Sequence, residues 1–281
     1  MFKLNLFPLW LLLFLLLLVA PARAEAPQQR QPTAAFESTE CTFEFPIAQY
    51  LSPGSLGFKC GYVTVPEQHR DPDGPTIRLA VAILPSTAEN PAPDPLFMAQ
   101  GGPGGSSLEL FPLFMLNNPI REERDIVIFD QRGTLYSEPN LLCPELDKLT
   151  KETLELDLSK EEGEKLSQEA YQACGDRLTG AGVNLSAYNS LENAADVNAV
   201  RAALGYEQIN FYGVSYGTLL GLHTMRDFPE ILRSVVLDAV VPAQGSFLNQ
   251  TARSANRAFK EVIQLCADDS GCNAAIPTWK M

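Results

Sequence analysis

Gln208-Ile-Asn-Phe-Tyr-Gly-Val-Ser-Tyr-Gly217 is the stretch that decides the fold. Its first part, Gln208 to Tyr212, reads as a strand. Gly213-Val214-Ser215-Tyr216-Gly217 follows, and Gly217 to Asp227 reads as a helix. Gly-x-Ser-x-Gly by itself is moderately specific, because glycine and serine are common. A strand before it and a helix after it give it meaning: a sharp turn that exposes a serine nucleophile at the carboxyl end of a sheet. The flanking positions of such a turn need glycine, since side chains would collide there. The start of the helix also brings partial positive charge to Ser215. The competing reading is a glycine-rich turn with an idle serine; the flanking elements favour the nucleophile.

Working outward, short apolar runs alternate with helical patterns. Strands are expected at Gly61 to Val65, Thr76 to Leu84, Pro95 to Ala99, Asp125 to Phe129 and Ser234 to Leu237, six with the one already described. Helices are expected at Lys160 to Leu178 and Asn193 to Leu204, the second with Ser190 as its N-cap and Gly205 as its stop. This alternation predicts an α/β fold with a mostly parallel sheet flanked by helices.

The third strand runs into Gln100-Gly101-Gly102-Pro103-Gly104-Gly105. In a strand–turn–helix serine site the oxyanion is held by the N–H after the nucleophile and by one from this loop, which nominates Tyr216 and Gly102. Nucleotide binding is disfavoured, since neither G-x-G-x-x-G nor a P-loop lysine is present. Asp130-Gln131-Arg132-Gly133 ends the fourth strand. Arg132 either stands at the mouth of the site or pairs with Asp130 to fix neighbouring loops. The second is preferred, because partly buried charges persist when paired.

The chain has 281 residues, a formal charge of −13, six cysteines and two histidines. Its length suffices for one well-filled core. The negative charge makes nucleic acid a poor partner. Lys3, the apolar run Leu6 to Ala20 and Ala22-Arg23-Ala24 give residues 1–24 the form of a cleaved secretory signal peptide. That run is shorter than the roughly 20 residues a membrane span needs, so no stable anchor is expected after cleavage. Residues 25–40, rich at first in Pro, Gln and Ala, read as a disordered tether, and 41–244 as the core. In an oxidising compartment Cys41, Cys60, Cys143, Cys174, Cys266 and Cys272 are disulfide candidates. The simplest of many connectivities pairs neighbours. No Cys/His spacing suggests a metal, and no cofactor is expected.

Gln100-Gly-Gly-Pro-Gly104, Asp130-Gln-Arg-Gly133, Gly213-Val-Ser-Tyr-Gly217 and the Pro229-Glu to Val-Val-Leu-Asp238 run occur in this order. Together they resemble the proline iminopeptidase and tripeptidyl aminopeptidase branch of the α/β-hydrolases, with the secreted, disulfide-bearing tripeptidyl type the closer match. The resemblance implies a secreted or periplasmic serine peptidase that acts on peptides with a free N-terminus. It implies catalysis by Ser215, supported by the loop residues Gly101, Pro103, Gly104, Asp130 and Arg132. It also makes 245–281, including the helical stretch Ala252 to Ala267, the start of a helical cap domain.

Gln100 departs from the family's usual histidine. In this branch the catalytic acid follows a seventh strand and the histidine comes later still, so both are expected beyond Met281, with the 281 residues an N-terminal portion of low activity. His223 lies about 12 Å of helix rise after Ser215 and reads as a packing residue. His69 reads as a surface residue. Asp238 is the only acid in reach, and neither acid nor base is assigned. Without further strands the sixth would be an unpaired apolar edge prone to association. Two alternatives stand beside the aminopeptidase: a non-catalytic binding protein, and a secreted esterase or lipase.

Overall fold

A computed structural model describes residues 35–43, 53–245 and 247–276. The signal-like segment and most of the tether lie outside the described residues. Seven strands form one sheet: β1 (Phe36–Thr39), β2 (Lys59–Pro66), β3 (Thr76–Leu84), β4 (Leu96–Ala99), β5 (Ile126–Phe129), β6 (Ile209–Val214) and β7 (Leu232–Asp238). The helices are α1 (Ser107–Met115), α2 (Pro144–Thr153), α3 (Lys160–Gly180), α4 (Ser190–Ala203), α5 (Tyr216–Asp227), α6 (Phe247–Asp268) and α7 (Ser270–Ala275).

The sheet order is β1-β2-β3-β5-β4-β6-β7. β5, β4, β6 and β7 are mutually parallel, β2 shares their direction, and β1 and β3 run against it. The chain crosses from β5 over β4 to β6, so the strand order reverses at β4. Crevices at the carboxyl ends of strands open at such reversals, and they are where α/β sheets place ligands. The Gly101 loop leaves β4 there and Ser215 leaves β6 there.

Side-chain alternation explains why the central strands read as continuous apolar runs. Leu96, Met98, Ile126 and Ile128 pack on one face with Leu108, Phe111 and Met115 of α1. Phe97, Ala99, Val127 and Phe129 pack on the other with Ala194, Val197 and Val200 of α4 and Leu220 of α5. A strand covered on both faces has no polar side to alternate with.

Three expectations are corrected. Phe36–Thr39, assigned to the tether, is strand β1, paired antiparallel to β2; it adds a seventh strand and moves the start of the core ahead of Cys41. The residues are mostly exposed and too few to show a pattern, so only the pairing reveals them. The N-cap of α4 is Asn189 rather than Ser190: its carboxamide accepts from the backbone N–H groups of Leu191 and Glu192. Gly205, at φ +79°, does end that region in the left-handed conformation. The third correction, at His69 and Arg132, concerns the site.

Cys41–Cys60, Cys143–Cys174 and Cys266–Cys272 are bonded, each to its neighbour in sequence. The first ties the segment after β1 to β2, the second ties α2 to α3, and the third closes the α6–α7 turn. Among the described residues β7 pairs only with β6, and Val236 is half exposed on it. Such an edge is a template for further strand pairing. On α6, Phe259, Val262 and Leu265 face solvent. Among the described residues no helix is long and apolar enough to cross a membrane.

Candidate active site

Ser215 sits between the last residue of β6 and the first of α5 with φ 54° and ψ −118°, a conformation that costs energy for any residue with a Cβ. Three glycines make room for it. A Cβ on Gly213 would lie 2.2 Å from the Gly217 carbonyl oxygen, and one on Gly217 would lie 2.2 Å from the Ala99 carbonyl oxygen. A Cβ on Gly101 would lie 2.6 Å from the Ser215 Cβ and 3.0 Å from its Oγ. The loop after β4 therefore rests directly against the serine.

The turn is held from β7. The Ser215 N–H donates to the Asp238 carbonyl at 2.9 Å. Thr218, fully buried, donates its hydroxyl to the Ser215 carbonyl at 2.6 Å and accepts from the Val241 N–H at 2.8 Å. Tyr216 opens α5, where N–H groups lack intrahelical acceptors, so its backbone is free to donate to an oxyanion. Its side-chain hydroxyl meets Ser190 Oγ at 2.8 Å.

The loop after β4 is fixed from beneath. Gln131 Nε2 donates to the Gln100 carbonyl at 2.8 Å, and Asn193 Nδ2 donates to Gln131 Oε1 at 2.5 Å. The Gln100 side chain accepts from the Gly101 N–H at 2.9 Å, and Gly105 N–H closes the turn on the Gly101 carbonyl at 3.1 Å.

Arg132 is structural, as expected, but its partner is not Asp130. Its Nε and Nη2 donate to the two oxygens of Asp196, each at 2.7 Å, and Nη1 donates to the carbonyls of Glu67 and Ala187. Asp196 is fully buried on α4. Burial works against the Arg132 charge, and the Asp196 carboxylate more than offsets it, leaving the guanidinium more basic than usual. His69 is not a surface residue: its ring Nε2 meets Asp196 Oδ1 at 2.8 Å and its side chain is 18% exposed. Asp130 instead accepts from Ser106 Oγ and the Leu108 N–H, at the start of α1, and from the Tyr136 N–H in the loop after β5.

Among the described residues no histidine or carboxylate reaches Ser215 Oγ. His223 lies two turns along α5, its Nδ1 buried without a partner and its pKa lowered by burial. Asp238 accepts the Tyr212 hydroxyl at 2.6 Å. Ser215 opens into a cleft of about 610 Å³ bounded by Ala239 to Pro242 and by Gln250 to Ala258 of α6. The sulfurs of Cys143 and Cys174 lie near Glu145, but they are joined in a disulfide and Glu145 is held by Arg177, so this group is unsuited to a metal.

A family model described as alpha/beta hydrolase fold matches residues 94–278, a span that holds the loop, the elbow and the cleft. The chain belongs to the α/β-hydrolase family. Serine protease Hip1 of Mycobacterium tuberculosis is 32% identical over 260 residues, covering 89% of this chain and 48% of that protein. Tripeptidyl aminopeptidase of Streptomyces lividans is 34% identical over 194 residues, covering 65% and 35%. Carboxylesterase B of M. tuberculosis is 30% identical over 227 residues, covering 76% and 42%. The chain spans half or less of the length of these relatives.

In this α/β-hydrolase Asp130 carries a pH signature. Burial pushes its carboxyl up to about 6, against the hydrogen bonds from Leu108, Tyr136 and Ser106. The folded chain keeps a proton that the unfolded chain releases near 3.8, so stability falls as pH rises between about 4 and about 6 and is level above. Denaturation midpoints of wild type and Asp130→Asn across this range are expected to diverge by up to about 3 kcal/mol, wild type losing ground as pH rises. A constant difference would refute the assignment.

Sequence reasoning missed Thr218, Asn193, Asp196 and the roles of Gln131 and His69. Only Gln131 stood inside a quoted motif.

Proposed function

We propose that the full-length gene product is an exported serine hydrolase acting as an aminopeptidase on peptides with a free N-terminus. The observation that carries this reading is Ser215, held in a left-handed conformation by three glycines beside an oxyanion loop. Ser215 Oγ attacks the scissile carbonyl while a base outside the described residues takes its proton. The Tyr216 and Gly102 N–H groups hold the oxyanion, the amine leaves protonated, and water releases the acyl group. The named activities of Hip1 and the tripeptidyl aminopeptidase support a peptide substrate. Export is supported by the signal-like segment and by three disulfides, which persist in oxidising compartments.

A fluorophosphonate probe is expected to label the folded full-length protein at Ser215, located by peptide mass mapping. Absence of labelling would sink the hydrolase reading and favour a non-catalytic binding protein. Similarity to carboxylesterase B keeps an esterase as the second reading. Faster turnover of tripeptidyl naphthylamides than of simple esters supports the peptidase, and the reverse order the esterase.

A further inference from the structure

We propose that Arg257, on α6 at the wall of the Ser215 cleft, recognises a carboxylate of the peptide substrate and gives the enzyme a preference for acidic peptides. The proposal rests on the peptidase reading of Ser215. The cleft of about 610 Å³ is lined by Ser215 and α6 together. Gln250, Ser254 and Arg257 all line it, at positions i, i+4 and i+7, which form one row along a helix. That row is polar, and it ends in a guanidinium. Ala255 and Ala258 line the cleft beside the row, and side chains this small crowd the Arg257 fork little.

Charge decides what the row can hold. Among the described residues lining the cleft, Arg257 is the one charged side chain, and no Asp or Glu stands with it. A substrate's terminal ammonium therefore finds no counter-charge there, whereas a carboxylate does. Arg257 is exposed and forms no ion pair among the described residues. Arg132, by contrast, is committed to Asp196 and two carbonyls. An uncommitted guanidinium offers a carboxylate two parallel N–H donors.

The flank of the helix carries the same sign. Arg253 and Lys260 stand one turn before and one turn after Arg257, and both are exposed. Three cations follow one another along 253–260 with no acid between them, in a chain of net charge −13. Other helices here offset their lysines with glutamates one turn on: Lys148 with Glu152, Lys160 with Glu164, Lys165 with Glu169. On α6 the residue one turn before Arg257 is another arginine, and like charges at i,i+4 weaken a helix. A carboxylate bound at Arg257 offsets that repulsion. The positive flank also draws anionic peptides toward the cleft.

The test uses the full-length protein and pairs of peptides that differ in one charge. Tetra-alanine and its C-terminal amide vary the terminal carboxylate. Ala-Ala-Ala-Asp-Ala amide and its Asn counterpart vary a side chain. Cleavage is followed by mass spectrometry and compared as kcat/KM within each pair. The acidic member of at least one pair is expected to be favoured about fivefold, the scale of an exposed ion pair. A preference in the first pair identifies a terminal carboxylate, and in the second a side chain. Arg257→Gln is expected to bring the ratio to about one, Arg257→Lys to keep most of it, and Arg257→Glu to reverse it. Each ratio is taken within one variant, so a loss of folded protein cancels. Equal turnover within both pairs by the wild type would overturn the proposal and leave the peptidase reading standing. So would a preference that survives Arg257→Gln, or one lost equally in Arg257→Lys. Cleavage of no peptide at all would overturn the peptidase reading and this proposal with it.

Discussion

Ser215→Ala in the full-length protein is expected to lower peptide turnover on the order of a millionfold, the scale at which a serine nucleophile's loss is felt. The fold should be indifferent to the change. Ser215 Oγ makes no hydrogen bond among the described residues, and alanine keeps the Cβ that the turn already accommodates. Ser215→Gly should be equally inactive but more stable, by about 1 kcal/mol. Removing the Cβ relieves a residue held at φ 54° and ψ −118°, a release of about 1–3 kcal/mol, less the entropy that glycine loses on folding. Parallel chemical denaturation of the two variants checks this. Equal midpoints would mean that the elbow is not strained, and substantial residual turnover would remove Ser215 from the chemistry.

Asp196→Ala is expected to cost about 3–5 kcal/mol, the usual penalty for leaving a buried charge without its partner. Arg132 is 2% exposed in its side chain, and two of its three guanidinium nitrogens, Nε and Nη2, donate to Asp196. With the carboxylate gone, two carbonyls remain as its close partners, and neither carries charge. The pair joins the loop after β5 to α4, and α4 also supplies Asn193 to the network beneath Gln100. Activity should therefore fall along with stability. Arg132→Met with Asp196→Leu should cost less than Asp196→Ala alone, because no unpaired ion remains. Denaturant midpoints of the two variants measure the difference. A loss below about 1 kcal/mol for Asp196→Ala would show that the cluster is solvated in solution.

The site was legible where chemistry is written in consecutive residues. A strained turn needs glycines at fixed offsets from its serine, so Gly213 and Gly217 announce Ser215. The clash distances at both positions give the reason those residues are there. The Gly101 loop was legible for the same reason, and its contact with Ser215 joins two stretches whose spacing in sequence says nothing about their proximity. Neighbouring cysteines paired because each pair sits where the chain turns back on itself.

Long-range partners were not legible. Arg132 looked for a carboxylate, and Asp130 was the obvious one two residues away; the fold instead turns Asp130 toward the first turn of α1 and brings Asp196 from α4 to Arg132. His69 lies 127 residues before Asp196, and nothing local distinguishes it from a histidine in a surface turn. β1 is four residues of unremarkable polarity whose strand character exists only through β2.

By itself, then, the sequence determined the α/β alternation and the elbow serine, because backbone strain and burial on two faces restrict which residues stand side by side; neighbour pairing of the cysteines was the simplest of many connectivities until the fold brought each pair together. Tertiary structure alone decided which carboxylate neutralises Arg132 and how Gln131 orients Asn193. A buried polar group takes whichever partner packing brings within about 3 Å, and that choice belongs to the whole chain.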